Sequence, residues 1–139
     1  AARAQLEQMR RALPAAGEGG PHQPAQQATG DERYKEAALS GIDFMLEAQF
    51  ENGGWPQTYP RYSNFVTYND DAMIGVMTVL YDVAQGDALY SFVDEDRREK
   101  AAAAVEKGID IILQTQIVVD GTLTAWCAQH NRDTLEPQT

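Results

Sequence analysis

Apolar residues recur at helical spacing in three stretches of this chain. The stretches run from Asp31 to about Phe50, from near Asn69 to Gln85, and from about Asp94 to Gln116. A glycine follows each stretch closely, and glycine is the residue that most often ends a helix. The pattern therefore predicts three main helices and a mostly α fold.

The first thirty residues differ in composition from the rest. Leu6, Met9 and Leu13 predict a short helix that ends at Pro14, and Gly, Pro, Gln and Ala then dominate without periodicity. We therefore expect an N-terminal helix and flexible linker over residues 1–30, followed by one domain over residues 31–139. A chain of 139 residues has room for one modest core.

The first and third main helices end in similar sequences. "GIDFMLEAQFENGG", which begins at Gly41, matches "GIDIILQTQIVVDG", which begins at Gly108, at six of fourteen positions. A period of 67 residues fits two αα-hairpins, each made of a helix, a turn and a return helix. Repeated αα-hairpins either stack as a solenoid or close into a toroid. We expect a fold of αα-hairpin repeats.

The net charge of the chain limits the classes of partner that it can bind. It has 11 basic and 21 acidic residues, a net charge of −10 at pH 7. This balance argues against nucleic acid as a partner, and no apolar run approaches the ~20 residues of a membrane helix. The acidic surface fits two interpretations, a solvated face that keeps the protein soluble and the binding of divalent cations.

The segment "YNDDAM" places two adjacent carboxylates, Asp70 and Asp71, at the head of the second main helix. In one interpretation Asn69 is the N-cap and the aspartates complement the helix dipole. In the other, the carboxylates supply hard oxygen ligands to calcium. The two interpretations are compatible, because one side chain can cap while the other points outward.

Aromatic and charged residues concentrate in the loops that follow the repeated helices. The first loop contributes Trp55, Tyr59, Arg61 and Tyr62, and the last contributes Trp126, His130, Arg132 and Asp133. Loops on a rigid scaffold often carry function. Packing against helix ends is the more common role of such aromatics, and a groove for sugar rings is the alternative.

Two segments, "GGWPQTYPRYSNFVTYNDDAM" and "TLTAWCAQHNRDTLEP", together resemble the catalytic module of family 10 polysaccharide lyases. The resemblance extends from about Tyr34 to Pro137. It implies part of, or a minimal, (α/α) toroid. It also implies a pectate lyase, secreted or periplasmic, that cleaves α-1,4-linked polygalacturonate by calcium-assisted β-elimination.

The resemblance also assigns residues. Those expected to bind substrate are Asp70, Asp71, Trp55, Tyr62, Trp126, His130 and Asn131. Asn131 stands where the family usually has aspartate, so Asp133 is expected to join Asp70 and Asp71 around the metal. The family's catalytic arginine lies in a later part of the module, to which nothing here aligns. Arg61 and Arg132 are therefore the candidates for the base, and binding of substrate carboxylates is the other role open to them.

Two other hypotheses fit the same pattern. A half-toroid could bind pectin or calcium without catalysis, and its open apolar flank would favour a homodimer. "GIDFMLEAQFENGGW" also resembles the helix-Gln-Gly-Trp repeat of squalene-type terpene cyclases, but the chain is too short to enclose the cavity that such an enzyme needs.

Overall fold

A computed structural model describes residues 30–61 and 64–138. Three α-helices make up roughly half of them: α1 (Glu32–Glu47), α2 (Ala72–Gln85) and α3 (Glu95–Gln114). The mostly α character predicted from the sequence is confirmed. The predicted N-terminal helix and nearly all of the predicted linker lie outside the described residues.

Local capping explains where these helices begin and end. The Asp31 side chain accepts a hydrogen bond from the Arg33 backbone N–H, and Asp94 does the same for Arg97, so each satisfies a free donor at a helix start. Gly86 ends α2 in the left-handed conformation at φ 67°, which glycine adopts without steric cost.

Helix α3 lies between the other two helices. Gly108 of α3 faces Met77 of α2 so closely that an added Cβ would lie 2.9 Å from the Met77 sulfur. Because Arg98 near the start of α3 approaches Gly86 at the end of α2, the two helices are antiparallel. Helix α1 runs parallel to α3, since Asp43 meets Arg97 and the Gln49 amide donates to the Ala104 carbonyl further along.

The core lies among the helices and the loop after α1. Its fully buried large side chains are Trp55, Met73, Leu80, Ile111, His130, Val66, Val83 and Thr67. In the described part of the chain, no helix has both the length and the apolar character needed to span a membrane.

Four short strands form two separate pairs. Strand β1 (Phe65–Thr67) pairs antiparallel with β4 (Gln129–Asn131), and β2 (Val118–Val119) pairs with β3 (Thr122–Leu123). The sequence predicted loops in these regions, because strands of two or three residues are too short to show alternation. A turn at Asp120 and Gly121, both at positive φ, joins β2 to β3.

The repeat has a structural basis at the helix ends. The Trp55 indole N–H donates to the Met45 carbonyl at 2.8 Å, and the Trp126 indole N–H donates to the Ile112 carbonyl at 2.7 Å. Met45 and Ile112 are 67 positions apart (112 − 45), and each lies in the last turn of its helix. Carbonyls there have no partner within the helix, so an indole supplies one in both copies.

The matched glycines at the ends of the two repeat copies are not structurally equivalent. Gly54 packs against the Val66 side chain, whereas Gly121 lies in the exposed β2–β3 turn. The two copies therefore correspond in structure only as far as the helix ends, because the loop after the second copy forms the β2–β3 hairpin.

The two tryptophans offer a matched pair of substitutions. Trp55 is 1% exposed and Trp126 is 42% exposed. We expect Trp55→Phe to lower the free energy of unfolding by about 2 kcal/mol, because the Met45 carbonyl loses its donor away from water. Trp126→Phe, where water can replace the indole, should cost less than about 1 kcal/mol. Urea denaturation measures both values, and equal losses would contradict this account.

Arg97 links α1 to α3 by ion pairs with Asp43 and Asp94. Hydrogen bonds from this guanidinium hold the pKa of both carboxyls below the usual value. A lowered folded-state pKa means that the stabilisation is complete above the unfolded pKa of about 4 and is lost as pH falls through the folded pKa.

We therefore expect Arg97→Gln to flatten the loss of stability between about pH 5 and pH 2. Denaturant titrations across that range measure the slope. Lys107→Gln, an equal loss of charge at an exposed α3 position, is the control. An unchanged slope for Arg97→Gln would contradict the assignment.

Candidate functional site

A short 3-10 turn at Asn69–Asp71 precedes α2 and carries the two adjacent aspartates. Asp70 has φ 56° and Asp71 has φ 55°, both in the left-handed region. This conformation costs a residue other than glycine about 1–2 kcal/mol, and aspartate is among the residues that tolerate it best. Such strain persists only where the surroundings impose it, and it concentrates at functional sites.

The capping interpretation of this segment is wrong. Helix α2 begins at Ala72, later than predicted, and no side chain makes a cap hydrogen bond at the start of the turn or of the helix. An N-cap residue is normally extended, and the left-handed backbone of Asp71 is not. The carboxylates of Asp70 and Asp71 are exposed to solvent instead.

Two amides orient one of these carboxylates. Asp70 Oδ2 accepts a hydrogen bond from Asn69 Nδ2 at 2.7 Å and from Gln57 Nε2 at 3.3 Å. Asn69 Oδ1 is buried and has no hydrogen-bond partner among the described residues. Buried acceptors usually have a partner, so this unpartnered oxygen, in the same side-chain amide that contacts Asp70, is a candidate cation ligand.

The β1–β4 ladder joins the two segments that carry the predicted site. Val66 pairs with His130, and hydrogen bonds from Tyr68 N–H to the Ala128 carbonyl and from Arg132 N–H to the Asn64 carbonyl extend the ladder at its two ends. From Asn64 to Tyr68 the ladder is roughly 13 Å long, at about 3.3 Å per residue.

The antiparallel register separates the three aspartates predicted to share a metal. Asp70 and Asp71 follow one end of the ladder, and Asp133 follows the other. Calcium binds its oxygen ligands at about 2.3–2.6 Å, so ladder ends this far apart do not share an ion. Consistent with this, the described residues contain no group of three or more His, Cys, Asp or Glu that could hold a metal ion.

Two of the predicted substrate-binding side chains are buried. Trp55 and His130 are each 1% exposed. The His130 Nδ1 lies 3.0 Å from the Leu135 carbonyl oxygen, and its ring packs edge-on against Tyr68. Burial raises the pKa of Tyr68, whose hydroxyl is 2.6 Å from the Thr115 hydroxyl. Trp55 and His130 are therefore part of the core and are not accessible to a substrate in this conformation.

The other predicted residues are nearer to solvent. Asn131 shapes its loop by accepting hydrogen bonds from the backbone N–H of Asp133 and Thr134. Trp126 keeps part of its ring accessible. Arg61 is exposed on the loop after α1, and Tyr62 lies outside the described residues.

The Arg132 side chain contacts Phe50 and Asp133. Its guanidinium carbon lies 5.3 Å from the centre of the Phe50 ring, and its Nε is 3.4 Å from Asp133 Oδ1. The ladder places it at the end opposite to Asp70 and Asp71.

Three residues with contacts to this site were not predicted: Gln57, Phe50 and Asn52. Gln57 lies inside the "GGWPQTYP" segment, which was the available signal. Phe50 and Asn52 contact Arg132 across 80 or more positions of sequence, and spacing alone gives no indication of such a contact.

The left-handed turn predicts an unusual response to glycine. We expect Asp71→Gly to raise the free energy of unfolding by about 0.5–1 kcal/mol, because glycine relieves the steric cost of positive φ. Asp110→Gly, at an exposed α3 position with helical backbone, should lower it by about 0.5 kcal/mol. Urea denaturation compares the two variants, and destabilisation by Asp71→Gly would contradict the strain argument.

Comparisons with known proteins agree on one family. The family model described as pectic acid lyase matches residues 23–139. A solved family 10 polysaccharide lyase from Cellvibrio cellulosa superposes with a TM-score of 0.76 at 33% sequence identity, covering 81% of this chain and 36% of that one. A mutant of the Cellvibrio lyase in complex with trigalacturonic acid gives the same TM-score and identity, with 81% of this chain and 37% of that one covered.

These matches also set the extent of the likeness. The chain spans little more than a third of the length of the solved lyases that it resembles. No curated protein matches it. Since the family model covers most of the sequence, the chain belongs to the pectic acid lyase family.

Proposed function

We propose that this chain is the part of a pectate lyase that binds calcium and polygalacturonate, and that it supports cleavage by β-elimination. The observation that carries the proposal is the strained Asn69–Asp71 turn, which carries two exposed carboxylates and a buried amide oxygen, Asn69 Oδ1, that has no partner among the described residues. Family membership supplies the substrate class.

The oxygen atoms of this turn fit a calcium ion. Asp70, Asp71 and the Asn69 amide offer hard oxygen donors, which calcium prefers. Calcium takes six to eight oxygens, so substrate carboxylates and water would have to complete the set. A cation of this kind would also reconcile a protein of net charge −10 with an anionic polymer.

The proposed reaction breaks two bonds of the polymer. A base removes the proton from C5, next to the carboxylate, a double bond forms between C4 and C5, and the C4–O4 bond breaks. The leaving oxygen takes up a proton and becomes the hydroxyl end of one product. When bound, calcium would neutralise the substrate carboxylate and so make the C5 proton more acidic.

The residues around the turn would divide the remaining tasks. Gln57 and Asn69 would orient Asp70 through their amide hydrogen bonds. The accessible face of Trp126 would offer a flat surface to a sugar ring. Of the two arginine candidates for the base, Arg61 is favoured over Arg132, because Arg132 belongs to the far end of the ladder.

A second candidate function is a binding module without catalysis. It is favoured by one observation, which is the chemistry of the groups around Asp70. The groups that orient Asp70 are amides, which can position a carboxylate but cannot remove a proton from C5. Such a module would bind polygalacturonate with calcium, and the base would come from elsewhere.

Two further proposals concern the cellular location and the oligomeric state of the protein. Because its polymeric substrate lies outside cells, we propose a secreted or periplasmic location. The exposed apolar residues Val118, Val119 and Leu123 on the β2–β3 hairpin would favour a homodimer.

The decisive experiment follows the ultraviolet absorbance of the unsaturated product from polygalacturonate, with calcium and then with EDTA. A lyase gives a rise that EDTA abolishes and that Asp71→Asn lowers by about 100-fold, as loss of a key charge-stabilising group does. Asp96→Asn, which removes a carboxylate from the first turn of α3, is the matched control and should retain full activity.

The outcomes separate the two candidates. No absorbance rise, together with calcium-dependent binding of polygalacturonate by the folded chain, would favour the binding module. If the folded chain gives no absorbance rise and does not bind polygalacturonate, the proposed function is contradicted.

A further inference from the structure

We propose that the hydrogen bond between the hydroxyls of Tyr68 and Thr115 holds the Asn69–Asp71 turn in its cation-binding conformation, so that Tyr68 and Thr115 are positioning residues. The inference rests on the proposed function, since it assumes that calcium and a uronate bind at this turn. It adds a contact with the end of α3 that sets how well the turn binds them.

The strained backbone of the turn is not held by local capping. Asp70 and Asp71 both have left-handed backbones, which residues other than glycine adopt only at a cost. Among the described residues, no side chain makes a cap hydrogen bond at the start of the turn or of α2. The amides of Gln57 and Asn69 contact the Asp70 carboxylate and leave the backbone free. The restraint on the backbone therefore comes from the residues that flank the turn.

Tyr68, immediately before the turn, is held at three points. Its backbone N–H donates to the Ala128 carbonyl at 2.8 Å, its ring packs edge-on against His130, and its hydroxyl lies 2.6 Å from Thr115 Oγ1. On the other side of the turn, Met73 is fully buried in the core. The chain between Tyr68 and Met73 is thus fixed at both ends, which opposes its relaxation to an ordinary helical backbone.

Thr115 is a firm attachment point for the Tyr68 hydroxyl. It is buried at the end of α3, and its own hydroxyl donates to the Ile111 carbonyl at 2.8 Å. Because that proton is used, Thr115 Oγ1 accepts the proton of the Tyr68 hydroxyl. Water does not compete at a buried oxygen, so loss of either hydroxyl weakens the anchor of the turn.

The same end of α3 also holds the aromatic ring proposed to contact sugar. The Trp126 indole N–H donates to the Ile112 carbonyl at 2.7 Å, three residues before Thr115. One helix end therefore positions both the aspartate turn and Trp126, and it fixes the two relative to each other.

The test measures binding of trigalacturonate to the full chain in the presence of calcium by isothermal titration calorimetry. We expect Tyr68→Phe to weaken this binding about fivefold, the scale of one net hydrogen bond, because a smaller fraction of molecules keeps the competent turn. Thr115→Val, which replaces the hydroxyl by a methyl group, should weaken it as much. Thr115→Ser, which keeps the hydroxyl, should bind like the unaltered chain.

A double variant separates this role from general packing. Tyr68→Phe combined with Thr115→Val should bind no more weakly than either single variant, because both remove the same hydrogen bond. Tyr90→Phe, which takes a hydroxyl from another half-buried ring at the α2–α3 connection, is the matched control and should leave the affinity unchanged. Urea denaturation shows that each variant is folded during the titration, so that a loss of stability alone does not change the measured affinity.

Failure of this inference differs from failure of the proposed function. If the unaltered chain does not bind trigalacturonate with calcium, both are overturned. If it binds but Thr115→Val binds as tightly as Thr115→Ser, or if Tyr90→Phe loses as much affinity as Tyr68→Phe, only the positioning role is overturned.

Discussion

The indole of Trp55 is the contact on which the rest of this structure depends. Its N–H caps the last turn of α1 through the Met45 carbonyl, and its ring packs so closely on Gly108 of α3 that an added Cβ there would lie 3.0 Å from it. Its backbone carbonyl accepts a hydrogen bond from Thr67 in β1. One residue thus joins two helices to the strand that leads into the aspartate turn.

The strained turn that carries the aspartates lies directly beside well-packed residues. The Asn69–Asp71 turn has an unfavourable backbone conformation, and the half-buried Tyr68 immediately before it is anchored to Thr115 at the end of α3. A conformation that costs free energy can persist only beside contacts that over-determine it. The packing of Tyr68 against His130 and the hydrogen bond between Trp55 and Thr67 are such contacts. They use Trp55 and His130, two residues that the resemblance assigned to substrate binding and that are buried.

The sequence predicted the helices well because each is long enough to show the helical period of 3.6 residues in its apolar positions. It also found both segments of the site, through a resemblance that covers them almost whole. It failed where the information is not local. The left-handed backbone at Asp71 has no signature in "YNDDAM", and the register that separates Asp133 from Asp70 depends on which residues pair across some sixty positions. The αα-hairpin repeats expected from the sequence and the toroid implied by the resemblance stay predictions.

The unequal burial of the two tryptophans gives the chain an intrinsic optical reporter. Trp55 is enclosed by the core and Trp126 is open to solvent, and the chain has no tryptophan besides these two. Fluorescence that a soluble quencher can reach therefore comes from the ring on the loop that follows α3. Emission shielded from the quencher comes from the ring that joins the helices, so binding and unfolding would be read at different wavelengths from one unlabelled sample.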